Sequence, residues 1–191
     1  DPSGNFSEGE CPWGPCYCDA NRVCGQSCPE LAIMEANNHV FSSWLHSCDA
    51  PVANSHYKNC DKDGCGQSTT HLGWPAYGPG STFTIDTTKP FEVISEFHGS
   101  ETNFTGFLTK LRQMQGGEER LVNLDHAACV AGPGRMTAAM ATGMTLRITY
   151  GWNFPPCSNR TCSGEAAGDV VISSLRIAPP ISPEPRLETP P

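Results

Sequence analysis

Apolar and polar positions alternate along this chain in short runs separated by Gly, Pro, Asn and Asp, the pattern of strands and turns. The first apolar pattern runs from Glu30 to Val40. Thr82 to Asp86 is short and β-branched, and Phe91 to Phe97 is apolar with partial alternation, so both predict strands. Phe107 to Met114 alternates, Gly116-Gly117 marks a hairpin turn, and Arg120-Leu121-Val122 returns. Arg135 to Ala141 holds helix formers ended by Gly143, after which Met144 to Tyr150 switches to period two. Asp169 to Ile177 predicts a last strand, with Val171, Ser173, Leu175 and Ile177 on one face. These elements predict an all-β protein, an antiparallel β-sandwich of jelly-roll type with one short helix.

Three stretches break the pattern. Residues 1–29 are crowded with Cys, Gly, Pro and Asn and predict a looped segment. Cys48 to Gly80 has the same character and predicts a long cross-linked loop, the kind that lines a binding face. Residues 179–191 carry Pro179, Pro180, Pro183, Pro185, Pro190 and Pro191 and predict extended, polyproline-like chain. The organisation expected is a 1–29 segment, a 30–178 sandwich and a 179–191 tail. A stiff tail loses little entropy on docking, so Ile181 and Leu187 are expected against a neighbouring subunit, in a groove of Trp13, Trp44, Trp74 and Tyr77.

Composition narrows the function classes. A net charge of -8 without a Lys/Arg cluster argues against nucleic acid and anionic membrane surfaces as partners. No run of about 18 uninterrupted apolar residues predicts a membrane span. Asp1-Pro2-Ser3-Gly4 has neither a basic start nor an apolar run, and the chain reads as a mature form. Eleven cysteines predict disulfides in an oxidising compartment, and an odd number leaves at least one for a free thiol or a second chain. The sequons at Asn5, Asn103 and Asn159 agree with secretion and extracellular glycosylation. No metal or other cofactor is expected. Paired C-x2-C knuckles for zinc are missing, His39, His46, His56 and His71 are scattered, and Asp61-Lys62-Asp63-Gly64 lacks the remaining ligands of a calcium loop.

The candidate chemistry lies at Cys28-Pro29-Glu30-Leu31-Ala32-Ile33-Met34-Glu35-Ala36-Asn37. Two carboxylates five residues apart fall on opposite faces of a plain strand. One extra, bulged residue between them brings Glu30, Ala32 and Glu35 to the same face. Retaining glycosidases need such a pair about 5–5.5 Å apart, one as nucleophile and one as acid/base.

This segment resembles the E-x-D-x-x-E-A-N signature of family 7 glycoside hydrolases, the fungal-type cellulases. His46 and Cys48 follow at the offsets of a histidine and a disulfide cysteine in that family. Cys60-Asp61-Lys62-Asp63-Gly64-Cys65, Tyr77 to Lys89, Phe91-Glu92-Val93-Ile94 and Gly143 to Ile148 are similar to it in order and character. The resemblance implies Glu30 as nucleophile, Glu35 as acid/base and His46 as a polar neighbour. Trp44, Trp74 and Tyr77 are the candidates for stacking sugar rings.

Two departures qualify that likeness. Ala32 stands where the family has an aspartate that shares a proton with the nucleophile, and a methyl group cannot do so. Only 29 loop-like residues precede Glu30, whereas the family has about half a sandwich there. Unpaired edges are repaired by association, so the leading expectation is a catalytically inactive, self-assembling extracellular subunit, a homo-oligomer or filament, or one joined to a second fragment through the odd cysteine. The alternatives are a retaining β-1,4-glucanase and a non-catalytic glycan-binding module, both with β-glucan as ligand.

Overall fold

The computed structural model describes residues 18–22, 27–51, 57–129, 132–149 and 171–173. Its strands are β1 (Glu30–Ala36), β2 (Phe41–His46), β3 (Cys65–Ser68), β4 (Tyr77–Gly78), β5 (Ile85–Asp86), β6 (Glu92–Ser100), β7 (Asn103–Gln115) and β8 (Glu118–Asp125), with a 3-10 turn at Thr69–Leu72 and the α-helix α1 (Gly132–Thr142). Two three-stranded sheets, β1-β2-β3 and β6-β7-β8, each run antiparallel in sequential order. A short parallel pair, β4 with β5, lies between them in the chain.

The sheets face each other because Phe41 and Leu45 of β2 and Phe107 and Leu111 of β7 turn their apolar side chains inward. Phe41 of β2 packs with Leu111 of β7, Val122 and Leu124 of β8, Ile85 and Tyr77 in one buried cluster. Leu45 packs with Phe104, Phe107 and Met136 of α1 in a second. The β7–β8 hairpin turns at Gly116-Gly117, where φ is 61° and 87°; a two-residue turn with both φ positive is strained for side chains that glycine lacks.

Three disulfides join described residues: Cys18–Cys28, Cys48–Cys60 and Cys65–Cys129. The last runs from β3 to the segment following β8, so it fastens one sheet to the other. The disulfide-rich sandwich read from the sequence is the fold observed.

Several expectations need correction. The Cys48–Gly80 loop contains β3, which forms because Gly66 lets the backbone approach β2: a Cβ there would come within 2.1 Å of the Ser43 carbonyl oxygen. Of Thr82 to Asp86 only Ile85–Asp86 is strand, since the chain is still turning when Phe83 N donates to Gly80 O at 3.2 Å. Met144 to Thr149 forms no strand, and Met144, Leu146 and Ile148 lie exposed. Period two marks which side chains share a face, but a strand also needs an open edge beside it. Residues 171–173 carry no strand either, and the rest of the expected last strand, the tail and residues 1–17 lie outside the described residues.

Asp86 locks β5 against β7. Its buried carboxylate accepts from Thr88 Oγ1 at 2.6 Å, Gly80 N at 2.8 Å and Thr88 N at 3.1 Å, with Lys89 Nζ at 3.4 Å. Its backbone N–H donates to Gln113 Oε1 at 2.8 Å, and Gln113 Nε2 donates back to Asp86 O at 2.9 Å. The Thr88 hydroxyl, followed by the Gly80 amide, holds the acid down at about 2. A depressed folded-state value contributes stability that is complete above the ordinary carboxylate range and lost as pH falls through about 2. The urea midpoint is therefore expected to fall between about pH 4 and pH 2, and to fall less steeply in Asp86→Asn. Parallel pH profiles for the two proteins would remove this role.

Candidate active site

The register of β1 on β2 carries the site. Glu30 pairs with His46, Ala32 with Trp44 and Glu35 with Ser42. His46, Trp44 and Ser42 are every second residue of β2 and share one face. Between Ala32 and Glu35, two residues of β1 stand opposite the single Ser43, a β-bulge. Glu30, Ala32 and Glu35 consequently share the face of His46 and Trp44, as the five-residue spacing predicts.

On the far side of β2, glycines leave room for the larger rings. A Cβ at Gly64 would lie 2.5 Å from His46 Cε1, and one at Gly66 would lie 2.8 Å from Trp44 Cε3. His46 and Trp44 thus lie over a bare backbone floor, which sequence reading missed; the C-G-Q and D-G-C glycines were its only signal. Asp61 O lies 2.9 Å from His46 Nδ1, and a carbonyl only accepts, so that bond needs the hydrogen on Nδ1. The Asp61 carboxylate in turn accepts from Gly64 N at 3.0 Å, so the Asp61–Gly64 turn seats the imidazole.

Electrostatically the two carboxylates feel each other. Burial is the main reason the Glu35 acid is raised above the usual carboxylate range; the positive charge of His46 opposes this, and the negative charge of Glu30 adds to it. A half-buried acid with a raised pKa beside a second carboxylate is suited to hold a proton that its neighbour does not. Glu30 itself accepts from Ala20 N at 3.4 Å, in a segment fastened to β1 by Cys18–Cys28.

The remaining candidates separate. Trp44 is half-buried on the carboxylate face. Trp74 is 74% exposed and meets Phe83 edge to face at 4.1 Å. Tyr77 is corrected: it is 7% exposed, packs edge-on to Phe41 and Phe91, and donates its hydroxyl to Asn37 O at 2.8 Å. With both ring faces in the core it has none for a sugar. Asn103 is exposed at the start of β7, open to modification. Asn5, Asn159, Trp13 and Trp152 lie outside the described residues. Among the described residues, no three His, Cys, Asp or Glu side chains are grouped to hold a metal ion.

The family model described as "Glycosyl hydrolase family 7" matches residues 9–143. Endoglucanase 1 of Pyricularia oryzae is 26% identical over 219 residues, covering 91% of this chain and 51% of that protein. Endoglucanase EG-1 of Trichoderma longibrachiatum is 30% identical over 166 residues, covering 74% of this chain and 34% of that protein. The chain therefore spans about half or less of the length of these relatives. The native structure of the Humicola insolens endocellulase EGI superposes with a TM-score of 0.52 at 20% identity, covering 68% of this chain and 43% of that one. That likeness is one of fold.

Proposed function

This chain belongs to glycosyl hydrolase family 7, and from that membership we propose that its Glu30–Glu35 face is a retaining β-1,4-glucan hydrolase site of reduced power. The observation that carries the proposal is the bulge between Ala32 and Glu35, which puts two carboxylates five residues apart on one face. Relatives named endoglucanases support a glucan as substrate.

In the reaction, the Glu30 carboxylate attacks the anomeric carbon and forms a glycosyl ester as the glycosidic bond breaks. Glu35 gives its proton to the departing sugar oxygen. Glu35, now ionised, takes a proton from water, whose oxygen attacks the same carbon and releases Glu30. The raised Glu35 acid supports its part as proton donor. Trp44, opposite Ala32 on the carboxylate face, is the candidate ring for stacking on a sugar.

Ala32 limits this chemistry, because the position between the two carboxylates carries only a methyl group. It also favours a second reading, a glycan-binding face without turnover. Self-association as a structural subunit rests on the sequence features alone, and the relatives' names weigh towards hydrolysis.

Trapping separates these readings. A 2-deoxy-2-fluoro cellobioside with a good leaving group forms the ester but hydrolyses it slowly, so even a slow site accumulates adduct. Mass spectrometry is expected to find the label on the peptide containing Glu30, and Glu35→Gln is expected to slow its release further. Absence of adduct both in the native chain and in Ala32→Asp would overturn the hydrolytic reading.

A further inference from the structure

Which face Glu35 occupies depends on where the extra residue of β1 lies. With the bulge moved past Glu35, its carboxylate would point between the sheets. The bulged residues do not fix that position by their own burial, since Ile33 is half-buried and Met34 is 54% exposed. The grip comes from the strand opposite.

Ser43, the one residue facing the bulge, is fully buried and points between the sheets. Its hydroxyl lies 3.4 Å from Ala32 O on the bulged strand and 3.1 Å from the hydroxyl of Thr109, also fully buried, on β7. The Ser43 carbonyl oxygen lies 3.0 Å from His126 Nε2, and the other ring nitrogen lies 3.0 Å from Phe107 O. The His126 ring stacks on Phe107 at 3.9 Å, which fixes its plane. Thr109 and His126 thus converge on Ser43, whose hydroxyl reaches the backbone at the start of the bulge. Unpaired they would cost more than an apolar replacement, and the Thr109 hydroxyl and His126 Nε2 keep these partners only while Ser43 keeps its place.

We propose that Ser43, Thr109 and His126 are positioning residues that hold the β1 bulge between Ala32 and Glu35 from behind, and so keep Glu35 beside Glu30. The proposal rests on the hydrolytic reading for its purpose, but not for its test. Thr109→Val removes the hydroxyl and keeps the shape, Ser43→Ala removes the other hydroxyl, and Thr109→Ser keeps the bond.

The decisive measurement is the Glu35 titration, followed by carboxyl-carbon NMR of the full chain with and without Glu30→Gln. In the native background Glu30→Gln is expected to lower the Glu35 midpoint, because a neighbouring negative charge is removed. That response is expected to shrink by at least half in Thr109→Val and Ser43→Ala and to persist in Thr109→Ser. Release of the Glu30 adduct in the Ala32→Asp background, the step that needs Glu35 as base, is expected to slow about tenfold in the first two variants, with cello-oligosaccharide affinity unchanged within about twofold. If the variants melt earlier while the Glu30 response stays intact, the three residues only stabilise the core and the proposal fails. Should Thr109→Val not fold, Ser43→Ala decides alone. No labelling in any variant, with the titration responses as expected, would refute hydrolysis and leave the positioning role standing.

Discussion

Ala32→Asp is expected to raise the rate of the proposed β-1,4-glucan hydrolysis by about 10–100-fold, the usual worth of a partner that orients and tunes a reacting group. The position is favourable because Ala32 pairs with Trp44, between the Glu30–His46 and Glu35–Ser42 pairs and on their face. A carboxyl introduced there lies next to Glu30 on the strand face and can share a proton with it. It requires no change in register, since the bulge lies beyond it. Glu35→Gln in the same background removes the gain, because an amide has no proton to give. Initial rates on a soluble glucan measure both. An Ala32→Asp rate equal to that of the native chain would show that Ala32 is not the limiting gap.

Replacing Cys65 and Cys129 together by serine is expected to cost about 4 kcal/mol of stability, from the loop-closure entropy of a long cross-link. The two cysteines are 64 residues apart, against 10 for Cys18–Cys28 and 12 for Cys48–Cys60. The chain-entropy argument gives each short loop about 3 kcal/mol. The long loop also encloses β4 to β8, so it restrains the unfolded chain where contacts between sheets must be found. Guanidinium midpoints of the oxidised double variants rank the three bonds. Equal losses for all three would mean that local strain, rather than loop length, decides.

What could be read in the sequence follows the range of the signal. The bulge was legible because two carboxylates five apart in an apolar run make sense on one strand only with an extra residue. The β7–β8 hairpin was legible because Gly116-Gly117 separates two runs with matching alternation. The helix was legible as well, although it starts at Gly132 rather than Arg135. Strands β2 and β3 were not: Phe41-Ser42-Ser43-Trp44 is half serine, and Cys65-Gly66-Gln67-Ser68 has no apolar stripe. Their pairing comes from neighbours distant in sequence. Tyr77 shows the same limit, since its pattern fits a platform ring as well as a core ring, and only Phe41, Phe91 and the Asn37 carbonyl decide. The Ser43, Thr109 and His126 contacts span 66 and 83 residues and leave no local trace.

The bare backbone of Gly64 and Gly66 has a consequence for how this cleft could be altered. Any side chain at Gly66 would push into Ser43 and Trp44, and one at Gly64 would meet His46 on a backbone whose φ of 71° already disfavours it. These two positions are therefore closed to tinkering: they contribute a shape, not a chemistry. New specificity in this scaffold has to be written on β1 and on the loops around it, where Ala32 and the half-exposed Met34 leave open positions. The least editable residues beside the carboxylate face are the two that have no side chain at all.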